Sequence, residues 1–213
     1  MEKSNFILPE RRETHERYEA NRLVNQTISE AFHTSLKKFV EQPTYPIPEV
    51  PYERSRIILV NDVLESGITA GDVPYGVSTL GESGCAVFCI HNAITYARSS
   101  EYPNLSLETV AEEVASKGYY EPGKGTYHNL FDHLGARRAT NVQDIFDALC
   151  TRKRAMVTLL VRNEEYNGRS GRHFINLVYW DGNQFILNDS SFGFGLKCDA
   201  ETIFKCVDIA WIW

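Results

Sequence analysis

A chain of 213 residues with 43% hydrophobic content can bury one sizeable core and does not require two full domains. Its 22 Lys and Arg against 28 Asp and Glu leave a net charge of -6, with no basic cluster to neutralise phosphates, so nucleic acid is excluded as an expected partner. No apolar run approaches the roughly twenty residues of a membrane span, and the polar start MEKSNFILPERRE lacks a secretory core. A cytoplasmic location without membrane contact is therefore expected, secretion being the alternative if a leader has been removed.

Five cysteines are an odd number, which favours reduced thiols over a disulfide framework. From Thr14 to Val40, Val24, Ile28, Phe32, Leu36 and Phe39 recur at helical spacing and predict an amphipathic helix. The prolines at 43, 46, 48 and 51 then predict an extended strap. Residues 1–55 thus read as a helix-and-strap extension, a candidate for self-association or autoinhibition, and 56–213 as the main domain. RIILVND predicts a short buried strand, followed by a glycine-rich loop reaching Cys85.

CAVFCIHNAITYA is apolar on nearly every side, as expected of a helix buried within a domain. Three more helices are predicted, from Ser106 to near Gly118, from Thr126 to Gly135, and from an Asn141 cap to near Cys150. AMVTLLV, HFINLVYW, QFILND and VDIAWIW are β-branched and aromatic runs that predict an antiparallel sheet. Helices followed by strands define an α+β class.

A cysteine attacks as its thiolate, and a helix N-terminus with an imidazolium nearby lowers its pKa. Cys85 opens the buried helix, where its own amide can face a developing oxyanion and Gly84 leaves room for a substrate backbone. Of six histidines, His173 alone opens a strand after a glycine-rich loop, NGRSGRH. A three-residue turn at Trp180-Asp181-Gly182 would pair Tyr179 with Asn183 and set Asp189 opposite His173. Asp181 itself reads as a turn former, and Cys89, Cys150, Cys198 and Cys206 as packing residues. His91, His128 and His133 read as ordinary histidines, and the AWIW run as core.

The runs VPYGVSTLGESGCAVFCIHNAI, KGTYHNLFDHLGA, NVQDIFDALC and GRHFINLVYWDGNQFILNDSSFG resemble the papain-like double-glycine leader peptidases, in free-standing form, from about Asp72 onward. The resemblance implies a papain-like fold, Cys85 as nucleophile, His173 as base and Asp189 as the third member. It implies a thiol peptidase or amidase acting on a peptide or protein substrate, with no metal and no cofactor. An acyltransferase with the same triad and a non-catalytic peptide-binding module are the alternatives. The family's oxyanion glutamine has no counterpart between Gln42 and Cys85, which leaves Ser78, Thr79, Ser83 or a backbone amide for that role.

Overall fold

The computed structural model describes residues 6–11, 26–27, 30, 34–35, 57–151 and 154–213. Of the expected N-terminal helix, residues 26–27, 30 and 34–35 are described and helical. The rest of that helix and the proline strap lie outside the described residues. The chain is mixed helix and antiparallel sheet, an α+β arrangement.

A 3₁₀ turn at Ala70–Asp72 leads into a small hairpin, β1 (Pro74–Tyr75) and β2 (Ser78–Thr79), and then helices α1 (Leu80–Ser83) and α2 (Cys85–Ala97). Next come α3 (Leu107–Ser116), a second hairpin of β3 (Tyr120–Glu121) and β4 (Gly125–Thr126), α4 (Leu130–His133), β5 (Arg137–Arg138) and α5 (Val142–Thr151). The remainder is β6 (Val157–Arg162), α6 (Asn163–Asn167), β7 (Arg172–Trp180), β8 (Phe185–Asp189), β9 (Gly193–Cys198), α7 (Ala200–Cys206) and β10 (Val207–Ile212). Six strands form one sheet in the order β5-β10-β6-β7-β8-β9.

Both faces of that sheet are covered. Leu160, Phe174, Val178, Ile186, Ile209 and Trp211 join the core around α2, whereas Leu159, Ile175, Leu177, Leu187, Ala210 and Ile212 join a second core with α5 and α7. Two-sided burial explains why the strands read as nearly continuous apolar runs instead of alternating ones. Trp211 is fully buried and stacks on Phe131 at 4.7 Å, so the AWIW run supplies core on both faces.

Helix α2 runs through the first core with Ala86 to Ile94 buried. Its polar side chains are satisfied, as burial requires. His91 Nε2 meets the Leu105 carbonyl at 3.1 Å, and Asn92 exchanges two hydrogen bonds of 2.9 Å with the Ile58 backbone. Asn176 Nδ2 donates to the Cys89 carbonyl at 3.2 Å, while its Oδ1 accepts from Thr158 Oγ1 at 2.7 Å. Trp213 Nε1 donates in turn to Thr158 Oγ1 at 2.9 Å, so a buried polar chain fastens α2 to three strands' worth of sheet.

Helix α3 opens on the expected Ser106 cap, whose hydroxyl accepts from the Thr109 amide at 3.1 Å. Phe6 and Leu8 pack into the same core, and the Leu8 amide donates to Glu113 Oε2 at 3.0 Å. Asn141 caps α5 through the Asp144 amide at 3.0 Å, as the sequence suggests, and Ser35 Oγ accepts from the Val142 amide.

Three sequence expectations need correction. Residues 57–60 form no strand: their amides and carbonyls bond instead to Asn92, Ser190 and Gly71, which tie the segment to α2 and the sheet end. The helix expected from Thr126 is confined to Leu130–His133, because Thr126 is used in β4 opposite Tyr120. Finally, the β7–β8 turn spans Asp181 to Gln184, with Trp180 opposite Phe185 and Tyr179 opposite Ile186. Asp181 Oδ1 accepts the Asn183 and Gln184 amides at 3.0 and 2.7 Å, which stabilises this longer loop over the three-residue one. Among the described residues no helix is long and apolar enough to cross a membrane.

Candidate active site

The α1–α2 junction sets Cys85. A Cβ on Gly84 would lie 2.5 Å from Leu80 Cδ2, 2.6 Å from its Cα and 2.7 Å from its carbonyl oxygen. Glycine is therefore required by the close fold-back of α1, a firmer reason than substrate access. The fold-back presents Cys85 at the first turn of α2, where amides lack intrahelical acceptors.

His173 enters on β7 after α6 and two glycines in the left-handed region, Gly168 (φ 76°) and Gly171 (φ 87°). Its Nε2 lies 2.8 Å from Asp189 Oδ1, and the ring shares the groove lining with Cys85, close enough that each shifts the other's proton affinity. With Nε2 directed to the carboxylate, Nδ1 is the ring nitrogen available to the thiol. The strand register brings the pair together differently from expectation. Asn176 opposes Asn188, so a one-residue shift at Val178 leaves His173 one pleat beyond the residue level with Asp189. Such a diagonal pair remains within side-chain reach.

Asp189 is fully buried, and each oxygen has a partner besides the imidazole's. Oδ1 also accepts from the Ser191 amide at 2.9 Å, and Oδ2 accepts from Tyr166 Oη at 3.1 Å. The Tyr166 ring lies nearly parallel to His173, with centroids 6.4 Å apart. Tyr166 is a positioning residue that sequence reasoning missed, because it sits on α6 in a segment with no hydrophobic period and far in sequence from Asp189.

Electrostatics follow from these contacts. Burial pushes the Cys85 thiol up, but the His173 hydrogen bond and charge and the Phe174 and Ala86 amides outweigh it, leaving Cys85 below its ordinary 9.0. Burial pulls His173 down, while Asp189 and Cys85 outweigh it and raise it from 6.5 to about 10. Both shifts favour a thiolate–imidazolium pair. Cys89, one turn along the same helix, is pushed well above the ordinary thiol range, first by burial and then by the charges of Cys85 and Asp189.

A groove of about 680 Å³ has Cys85, His173 and Phe88 at its base. One wall comes from α1 and the β3–β4 hairpin, the other from the α6–β7 loop and Ser190-Ser191. The oxyanion candidates fare unequally. Ser78 and Ser83 line the groove, yet Ser78 Oγ donates to Glu82 and Ser83 Oγ to the Thr79 carbonyl, and Thr79 does not line it. The Cys85 amide is the donor the geometry supplies most directly. Cys150 and Cys198 are half-buried and Cys206 is buried, and all five cysteines are free. No group of three His, Cys, Asp or Glu suited to a metal occurs among the described residues.

Comparison of the chain with protein-family models and with curated proteins finds no match.

Proposed function

We propose that this chain is a cysteine peptidase or amidase of papain-like architecture. The single observation that carries this reading is the buried His173–Asp189 pair, 2.8 Å apart, together with a half-buried Cys85 that lines the same open groove as His173, with thiol and imidazole displaced toward the charged pair. The helix-then-sheet order and the resemblance around Cys85 and His173 support the architecture.

Cys85 attacks the acyl carbon as thiolate, and the carbonyl electrons move onto oxygen, facing the Cys85 amide. Collapse of that intermediate expels the amine, which takes its proton from the His173 imidazolium. His173, now neutral, removes a proton from water. The hydroxide attacks the thioester, and the released Cys85 thiolate and reprotonated His173 restore the starting state. Asp189 holds the ring through Nε2 and favours its positive charge throughout.

A second reading, a peptide-binding module without turnover, draws support from the two serine hydroxyls being bonded elsewhere. One experiment separates the two. Cys85 should react with iodoacetamide below pH 8, ahead of Cys89 and of Cys206, which burial pushes up to about 12. The intact protein, incubated with a mixed peptide library, should generate cleavage products by mass spectrometry that Cys85→Ala and His173→Ala do not. Selective labelling without cleavage selects the binding module, and the absence of selective labelling removes the enzymatic reading.

A further inference from the structure

The chain as a whole is acidic, at -6, but its groove is not. Among the residues that line the groove, Lys124, Arg169 and Arg172 face a single carboxylate, Glu82. Glu82 is itself hydrogen-bonded by Ser78 on the helical wall. Lys124 is paired with Glu121 at 2.7 Å, which discounts its field. The two arginines differ. Arg172 is exposed and forms an ion pair through Nε with Asp208 Oδ2 at 2.7 Å, a contact that does not engage its two terminal Nη groups. Arg169 lies with its guanidinium carbon 4.8 Å from the Phe192 ring centroid, and no carboxylate among the described residues pairs with it.

Their place in the groove is chemically asymmetric. Arg169 lies in the α6–β7 loop between Gly168 and Gly171, and Arg172 opens β7 next to His173, so both line the groove on the side of the chain that delivers His173. The imidazolium must reach the departing amine, so residues beside it line the path of the leaving group and not that of the acyl group. Planar guanidinium groups match carboxylates in bidentate geometry.

We infer that the groove selects anionic peptides, with a carboxylate on the leaving-group side of the scissile bond bound by Arg169 and Arg172. This inference rests on the peptidase reading above. The carboxylate can come from an Asp or Glu side chain or from a peptide C-terminus, since both present the same two oxygens.

The test uses a small-molecule pair and then peptides. Iodoacetate and iodoacetamide differ only in the carboxylate, so the ratio of their rates at Cys85, divided by that for free glutathione, reads the groove's field. Arg169→Gln with Arg172→Gln should lower this ratio about fivefold at low salt, the order expected for two partly screened charges. Replacing both arginines with lysine should retain most of it. In the peptide-library digest, products should show Asp or Glu enriched after the cleaved bond. If the terminal carboxylate is the ligand, cleavage instead clusters near the peptide C-terminus and is lost on C-terminal amidation of the library, whereas Asp or Glu enrichment survives amidation. An unchanged ratio in the Gln variant, with Cys85 still selectively labelled by iodoacetamide, overturns the inference and leaves the peptidase reading intact. Failure of Cys85 to label selectively overturns the reading on which it rests.

Discussion

Replacing Asp189 with alanine removes a fully buried carboxylate that accepts from His173 Nε2 at 2.8 Å, the Ser191 amide at 2.9 Å and Tyr166 Oη at 3.1 Å. Each donor left without an acceptor in a buried site costs about 1–3 kcal/mol, so the expected loss is about 3–6 kcal/mol, discounted toward the lower end because Tyr166 is partly exposed. Urea unfolding at neutral pH measures it directly. A second readout separates charge from packing. His173 is raised from 6.5 to about 10, so its protonated form contributes stability that is complete below pH 6.5 and fades as pH climbs toward 10. Cys85, lowered from 9.0, works in the opposite sense: its thiolate contributes above 9.0 and the contribution fades as pH falls. A Cys85→Ala background silences the thiol and removes its share of the His173 shift, so there the decline of stability starts at pH 6.5, ends below 10, and reports Asp189 acting on His173. In that background, adding Asp189→Ala should flatten it. A stability loss below about 1 kcal/mol, together with an unaltered slope, would refute the view that this carboxylate holds the imidazolium.

Tyr166→Phe should cost about 1 kcal/mol in urea unfolding and slow iodoacetamide labelling of Cys85, since Asp189 Oδ2 loses its donor while the stacked ring remains. Gly84→Ala should destabilise by about 1–3 kcal/mol and reduce the selectivity of Cys85 labelling, because the clash with Leu80 includes backbone atoms that cannot rotate away. Asn176→Ala should cost about 2–4 kcal/mol by thermal or urea unfolding, as it strands the Cys89 carbonyl and the Thr158 hydroxyl in the core.

The parts of the molecule legible in the sequence are those whose residues answer to one strong local rule. The buried helix from Cys85 was readable because it is apolar all round, and β6, β7, β8 and β10 because β-branched and aromatic residues crowd each run. Ser106 and Asn141 marked helix starts through a capping chemistry that needs no tertiary context. Residues 57–60 misled for the same reason that β6 did not: an apolar run says buried, and only the partner decides between a strand and a clamp on Asn92. Strand β9 escaped notice because Gly193 (φ 140°) and Gly195 (φ 71°) break its side-chain alternation, and α7 follows after the single residue Asp199. The candidate site was legible in its residues but not in its geometry. His173 and Asp189 do meet, yet the register expected for them was wrong by a longer turn and a shift at Val178, two features set by hydrogen bonds of Asp181 and by local twist. Tyr166 could not be found at all, since its role exists only once α6 is folded over the sheet end.

The sheet order also carries a timetable. Strands β6 to β9 are chain neighbours and can zip together by short returns, whereas β10 must travel back past α7 to the far side of β6 before β5 has a partner. Until that return, β6 presents an unpaired row of amides and carbonyls, and the face awaiting Ile209 and Trp211 lies bare beside α2. The docking of β10 is therefore the step on which both cores wait. Slowing it, for example by Ala210→Pro at a residue whose amide and carbonyl serve the sheet, would be expected to divert the chain toward edge-to-edge association before the groove beside Cys85 had formed.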